Sequence, residues 1–501
     1  MAQTATVGRV TETTGSRTAR WRPPMPLVGM VAVMAVVYAA YTLLRLRAFR
    51  ATTYDLVIFD QAVRSYSRFD LPVAMVKGVH NGFGPDFNVL GDHFSPILVL
   101  LAPLYWIHDG PGTLLVAQAV LLALASLLIW RYTERRLGAQ AAYCAVGAYA
   151  VSWPIAEALN FDFHEVAFIP LLTALIVERY DAGRRGHAVL AACVLLLVKE
   201  DMGLFLVGFG VYLLTLRGQR RVGAAFIGGG LAAAWISSRV LIAAFGGDND
   251  YYWAYGSLGD DLPDAAVYCL THPWAVLEAF ASPATKLDTL VLLVLPLMVL
   301  PLMSPLTLAV LPLLAERMMA DRFGNWWEPR YHYNAFIIAV LVMAAVDGAV
   351  RLRRFEPARR LARARWGRLR GRTLPALAIM LGMLATVPFF SFGELAEPGL
   401  YREGERDRAA ARAVAAIPDG ALVESVNQIG PALSPRARVL LWDRRAREAP
   451  WVVADVRKHA FPFTTVDEQR QRVTWLLGRG YRAVFQAAGY VVLHRPGPDP
   501  W

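Results

Sequence analysis

Charge is scarce in this chain and cysteine nearly absent. Asp, Glu, Lys and Arg make up only 18% of the 501 residues, against about a quarter in soluble domains. Hydrophobic residues make up 56%, and the mean hydropathy is +0.38. That balance excludes an ordinary soluble enzyme and places the chain in a membrane. The three cysteines, Cys144, Cys193 and Cys269, are too few for a disulfide framework and lack metal-type spacing. The net charge of +11 comes from arginine rather than lysine. In a membrane protein such an excess points to cytoplasmic loops and anionic headgroups, not to nucleic acid. No small-residue cleavage site follows the basic tail Met1–Pro26, which carries Arg9, Arg17, Arg20 and Arg22. The first apolar run therefore reads as an uncleaved span.

What is present is a series of apolar runs, each near the roughly 20 residues needed to cross a bilayer, fewer where broken. Eleven spans are expected, near Leu27–Leu44, Leu114–Trp130, Gly138–Ala156, His164–Tyr180, His187–Val198 and Met202–Leu216, then Val222–Phe245, Lys286–Met303, Pro305–Met319, His332–Val350 and Thr373–Ser391. Phe94–Ile107 is apolar but short and proline-rich, and reads as interfacial or re-entrant. Basic loops at Arg131–Arg136, Arg179–Arg185, Arg217–Arg221 and Arg351–Arg372 fit one alternation with the N-terminus inside. Arg45, Arg47 and Arg50 then fall outside, against the rule. The chain divides into a basic tail (1–26), a transmembrane domain (27–391) with a first outer loop (45–93), and an outer C-terminal domain (392–501). In the last, five β-prone runs from Ala421–Val426 to Tyr490–Leu493 surround helical stretches near Arg406–Ala416 and Val466–Leu477, which predicts a small α/β domain. It lacks a glycine-rich phosphate loop.

The polar motifs gather at the outer ends of the spans. Asp55 follows Thr52 with capping-box spacing, so its carboxylate reads equally as a helix cap or as a general base at the membrane surface. Asp92 and His93 precede Ser95-Pro96, a standard helix start. Asp162, His164 and Glu165 lie within four positions, denser than anchoring requires; they are also possible metal ligands, though without a metal-site spacing. Lys199-Glu200-Asp201 interrupts an apolar stretch whose arms of about 12–15 residues span only about 18–23 Å. A turn at that depth needs a polar cavity, because each unpaired charge costs at least about 2.5–3.5 kcal/mol there. Arg330 and His332, beside Trp326 and Trp327, suit a phosphate, although aromatics at such a depth are ordinary anchors. Tyr251-Tyr252-Trp253 reads as anchoring.

Taken together, Tyr54-Asp55, Phe59-Asp60-Gln61, His93-Phe94-Ser95-Pro96, Pro103-Leu104-Tyr105, Phe163-His164-Glu165, Lys199-Glu200-Asp201 and His332-Tyr333 resemble a family of predicted prokaryotic membrane proteins. That family is a domain of unknown function grouped with the GT-C glycosyltransferase superfamily, and the resemblance runs from about Leu27 to Val350. It implies a mainly α, GT-C-like bundle with its active face outside the cell membrane. It further implies transfer of a sugar from a polyprenyl-phosphate carrier to an envelope glycan or protein. In that frame Asp55 matches the base and Asp60 is its nearby competitor. On a helix the two would point about 140° apart and would not share one acceptor proton. Gln61, Asp92, His93, Asp162, His164, Glu165, Lys199, Glu200, Asp201, Arg330 and His332 become substrate-binding candidates, and Arg330 or one of Arg45, Arg47 and Arg50 the carrier-phosphate ligand. Use of a divalent metal stays open. The alternatives are a transporter with a midplane polar site, disfavoured by the lack of an internal repeat, and a non-catalytic envelope-assembly protein.

Overall fold

The computed structural model describes residues 21–247, 253–354 and 370–497. Arg9, Arg17 and Arg20 of the tail, Tyr251, Tyr252, and most of the basic stretch Arg351–Arg372 lie outside the described residues.

Each of the eleven apolar runs is helical, and prolines and polar turns break most of them into pieces. Among the described residues, four helices are long and apolar enough to cross a membrane: Met25–Arg47, Pro111–Leu137, Arg220–Ala244 and His332–Arg354. The remaining expected spans are shorter. Gly138–Ala156, for example, divides into Ala139–Ala150 and Trp153–Asn160 around Ser152, where Pro154 fits only a helix's first turn.

Ala335–Arg354 is the axis of the bundle. Every residue from Ala335 to Ala349 is buried, as expected of a helix apolar on all sides. Around it pack Pro111–Leu137, Ile169–Asp181 and Ala139–Ala150. Arg220–Ile236 is the opposite case and buries only Gly223, Phe226 and Gly230. It lies against Met202–Leu214 through glycines. A Cβ on Gly203 would come within 2.3 Å of the Gly230 carbonyl, and one on Gly210 within 2.6 Å of that of Gly223. Such small-residue contacts replace a hydrophobic driving force between helices in lipid.

The long helix Pro111–Leu137 joins two chemically different ends. Near its start Gln118 donates to the carbonyls of Ala158 and Asp162. Near its finish Arg131 and Arg135 pair with Glu178, while Arg136 pairs with Asp181 and Asp347. Those two groups are about 25 Å apart at 1.5 Å per residue. Arginine clusters hold one end of the bundle and the motif residues the other.

The C-terminal sheet has the order β2-β1-β3-β5-β4, with β1 Leu422–Ser425, β2 Arg438–Leu441, β3 Trp451–Asp455, β4 Arg482–Ala487 and β5 Tyr490–His494. All five strands fall on the expected runs, as do the helices Glu405–Ala415 and Val466–Gly478. β1 pairs in parallel with β2 and β3, and the β4–β5 hairpin adds antiparallel to β3. The core of this sheet does not stop at residue 392. Val57, Ile58, Ala62, Ala74, Val76 and Val89 of the first outer loop belong to the same buried cluster as Val423, Val439 and Val453. The loop is thus the floor of the sheet domain, and the two are one packing unit set on the motif-bearing end of the bundle.

Candidate functional site

A cavity of about 750 Å³ lies where the bundle, the first outer loop and the sheet domain meet. It brings together Asp55, Asp92, His93, Asp162, His164, Glu165, Lys199 and His332, eight sequence candidates from four separate parts of the chain. Its cationic wall is Arg45, Arg50, Lys77 and Lys199, and its aromatic wall includes Phe161, Trp326, Tyr331 and Tyr333. A smaller adjoining chamber of about 190 Å³ shares Asp92, His93 and Lys199 and adds Glu200, Asp201, Glu316 and Arg317. The turn expected between two short helical arms therefore does face a polar hollow. The arms are Arg185–Leu195 and Met202–Leu214, about 17 and 20 Å long.

Asp55 owes its freedom to the way its helix begins. The expected cap does not form. Thr52 is extended, and its side chain makes no capping hydrogen bond. Its N–H and hydroxyl both donate to Asp162 Oδ2, at 2.7 Å each. The first turn, Thr53–Val57, is a wide π turn; the N–H groups of Thr53 and Tyr54 donate to Asn427 Oδ1 at 3.0 Å each, and that of Thr53 also to the Asn427 carbonyl at 2.6 Å. With the cap supplied from the sheet domain, the Asp55 carboxylate turns to the cavity. It stays 28% exposed, with His164 Nε2 3.5 Å from its Oδ1. His164 stacks flat on His332 at 4.0 Å, with Phe161 against both rings.

Asp162 both lines the cavity and supports it. Its backbone is left-handed, with φ of +64°, a conformation that Asp and Asn adopt more readily than most residues. Gln118 braces this turn, donating to the Asp162 carbonyl and accepting from the His164 N–H. Burial pushes the Asp162 carboxyl up to about 6, while its bonds from Thr52 pull the other way.

The deeper elements are paired across the bundle. His93 Nδ1 lies 2.8 Å from Glu200 Oε1, and the Phe94 N–H donates to the other oxygen at 3.1 Å. Lys199 stands 3.5 Å from Glu200 and 3.9 Å from Asp201. Lys77 pairs with Asp92 at 2.9 Å. Ser95 occupies the expected start of the Pro96–Leu101 turn but makes no capping bond. Around the cavity, buried Arg45 Nε, His164 Nδ1, Glu165 Oε2 and His332 Nδ1 have no hydrogen-bond partner. A buried polar atom left so costs about 1–3 kcal/mol; atoms of this kind also occur away from the cavity, among them Trp130 Nε1 in the bundle and Glu424 Oε2 in the sheet domain.

Three candidates are not brought together with the rest. Asp60 is fully buried on the far side of its helix. It accepts from Tyr105 at 2.7 Å and from Ser434, and pairs with Arg64 at 2.8 Å. Burial raises its carboxyl above the ordinary range, against the pull of Arg64. Asp60, the expected competitor of Asp55, does not line the cavity: Tyr105, Ser434 and Arg64 enclose it. Gln61 binds the Val439 carbonyl and the Val76 N–H and so pins the loop to the sheet. Arg330 is exposed, with its guanidinium near the Phe389 carbonyl and over the Phe390 ring. Nor do Asp162, His164 and Glu165 converge as metal ligands, since Asp162 is turned to Thr52 and His164 to Asp55. Among the described residues no group of three or more His, Cys, Asp or Glu side chains has a metal-holding arrangement.

Other cavity residues gave little sign in the sequence. Lys77 is one of only four lysines in the chain, and that scarcity was its one signal. Asn427 and Phe461 enter the cavity from the sheet domain, where no motif marks them. Arg45 and Arg50, exceptions to the charge rule, lie on the cavity wall and share Glu394, at 2.8 and 3.5 Å. Arg47 points elsewhere and pairs with exposed Glu403.

A family model described as predicted membrane protein (DUF2079) matches residues 45–492. The match passes well beyond Val350 and takes in the sheet up to Val492 in β5. No curated protein matches the chain. Among solved structures, ArnT from Cupriavidus metallidurans bound to undecaprenyl phosphate is similar over 94% of this chain and 98% of its own. The TM-score is 0.54 at 14% identity. The Archaeoglobus fulgidus oligosaccharyltransferase matches 85% of this chain and 69% of its own, with a TM-score of 0.44 at 13% identity. The likeness to ArnT is one of fold.

Proposed function

The chain belongs to the DUF2079 family of predicted membrane proteins, and from that premise we propose that it is a membrane glycosyltransferase. In this reading it moves a sugar from a polyprenyl-phosphate carrier to a cell-envelope acceptor. One observation carries the proposal: Asp55, uncapped and partly exposed, stands in a cavity walled by Arg45, Arg50, Lys77 and Lys199. The fold's likeness to ArnT, a protein seen with undecaprenyl phosphate, supports the choice of carrier.

The chemistry follows from the charges. An acceptor hydroxyl attacks the anomeric carbon, the bond from that carbon to the phosphate oxygen breaks, and Asp55 takes the hydroxyl proton as general base. The departing polyprenyl phosphate gains negative charge, which Arg45 and Arg50 are placed to neutralise; guanidinium suits bidentate phosphate contacts. His164 orients the Asp55 carboxylate. Phe161, Tyr331 and Tyr333 offer faces for the sugar, and the buried unpaired atoms of His164, Glu165 and His332 offer it polar partners. The arginine-rich end of the bundle faces the cytoplasm, so transfer takes place on the outer face of the cell membrane.

The test is lipid analysis of a deletion strain. Loss of the enzyme leaves its donor unused, so a polyprenyl-phosphate-linked sugar accumulates and an envelope glycan is lost. Unchanged carrier lipids together with unchanged glycans would contradict the reading.

A further inference from the structure

We propose that Asn427 is a positioning residue for Asp55, so that the sheet domain, through the side chain and carbonyl of this one residue, sets the geometry of the base. The inference rests on Asp55 acting as that base.

A helix leaves its first N–H groups without intrahelical partners, and a nearby side chain normally accepts from them. In the Asp55 segment neither local candidate does so. Thr52 is committed to Asp162 on the bundle side, and Asp55 faces the cavity. The acceptor comes instead from 374 residues away. Asn427 Oδ1 takes both the Thr53 and Tyr54 N–H groups, and the Asn427 carbonyl takes the Thr53 hydroxyl and shares the Thr53 N–H, at 2.6 Å each. The three residues ahead of Asp55 are thus gripped from two sides, Thr52 by the bundle and Thr53-Tyr54 by the sheet domain.

Two further observations show that the grip is built in. Asn427 follows the carboxyl end of β1, the strand flanked by β2 on one side and β3 on the other. In open parallel sheets the crevice beside such a reversal of strand order is where ligands are held. Here this chain's own Thr53 and Tyr54 dock there. Thr53 is fully buried, and Gly430 leaves it no slack: a Cβ on Gly430 would come within 2.2 Å of Thr53 Oγ1. Catalysis is sensitive to such placement, and a shift of about 1 Å can cost about 10²-fold in rate.

The experiment uses the full-length protein in membrane vesicles of the deletion strain, with the lipid-linked sugar that the strain accumulates as donor. Asn427→Leu keeps the size of the side chain but removes its acceptor; Asn427→Asp keeps an acceptor oxygen. We expect Asn427→Leu to lower kcat by about 10–10²-fold with KM for the donor within about twofold of the parent, and Asn427→Asp to remain within about threefold in kcat. Hydrogen exchange at the Tyr54 amide, which donates to the Asn427 side chain, should rise in the Leu variant alone. If Asn427→Leu accumulates poorly, Thr53→Val, which loses only the hydroxyl bond, should still lower kcat several-fold at unchanged KM. Full kcat per folded molecule in Asn427→Leu, or equal losses in the Leu and Asp variants, would overturn the proposal. An active Asp55→Asn protein would instead remove the base itself, so the two failures are distinguishable.

Discussion

Asp55 and Asp60 are five residues apart on one helical segment, yet their surroundings are opposite. Asp55 looks into a wide cavity with an imidazole 3.5 Å away. Asp60 is sealed beneath the sheet domain among Tyr105, Ser434 and Arg64. The difference comes from which face the covering domain touches. Ile58 and Ala62 are buried in the sheet's core and Phe59 and Val63 in the bundle's, while Asp60, well round the helix from Ile58 and Ala62, is closed off between Tyr105 of the bundle and Ser434 of the sheet domain. A carboxylate in a motif is therefore a different object depending on what lies above it: one free to exchange a proton, the other a bolt between two layers.

Substitutions that separate rate from stability sharpen the comparison. The largest effect is expected at Asp55, where Asn removes the base and should cost about 10²–10⁴-fold in turnover, with unchanged thermal unfolding. At Asp60, Ala should do the reverse. Removing one partner of a buried pair costs about 3–5 kcal/mol, towards the lower end here because Arg64 keeps Asp109 at 2.7 Å. A lowered Tm with near-parent activity per folded molecule is expected, and a stable but inactive Asp60→Ala protein would break the comparison. Next comes Arg45→Ala, which removes a charged donor worth about 1.5–3 kcal/mol. Undecaprenyl phosphate binding in nanodiscs should weaken about tenfold or more, with Arg47→Ala as the unaffected control.

The smallest effect is a pH dependence at Asp162. Its carboxyl titrates at about 6 in the folded protein because it is buried, well above the ordinary value near 4. Between those values the folded state holds a proton that the unfolded state has lost. This contribution to stability is therefore complete below about pH 4, declines as pH rises to about 6, and is level above, with a slope near 1.4 kcal/mol per pH unit. Asp162→Asn keeps an acceptor for Thr52, tolerates the left-handed backbone, and should flatten that part of the Tm–pH curve. An identical curve in the variant would show that Asp162 is not held protonated.

The contrast also explains what could be read in advance. The helical runs, the five strands and a polar hollow at the Lys199–Asp201 turn were legible, because charges within apolar stretches are costly unless a cavity receives them; of Asp55, His93, His164 and Glu200, the first three line the larger cavity and Glu200 the adjoining chamber. The fate of Asp60 was not, since a five-residue spacing gives an angle on a helix but not what covers either face. Local pattern also misled at Thr52: a capping box was spelled out in sequence, while the cap itself was supplied by Asn427. Arg330 sits among aromatics as a phosphate ligand would, but it points to the Phe389 carbonyl and the Phe390 ring. Lys77 carries no motif and enters the site only through the fold of the outer loop.

The most direct test is transfer by Asp55→Asn protein, in deletion-strain vesicles, of sugar from the lipid that the strain accumulates. Transfer near background is expected from a folded protein that still binds undecaprenyl phosphate as the parent does; transfer at the parent rate would show that Asp55 is not the base.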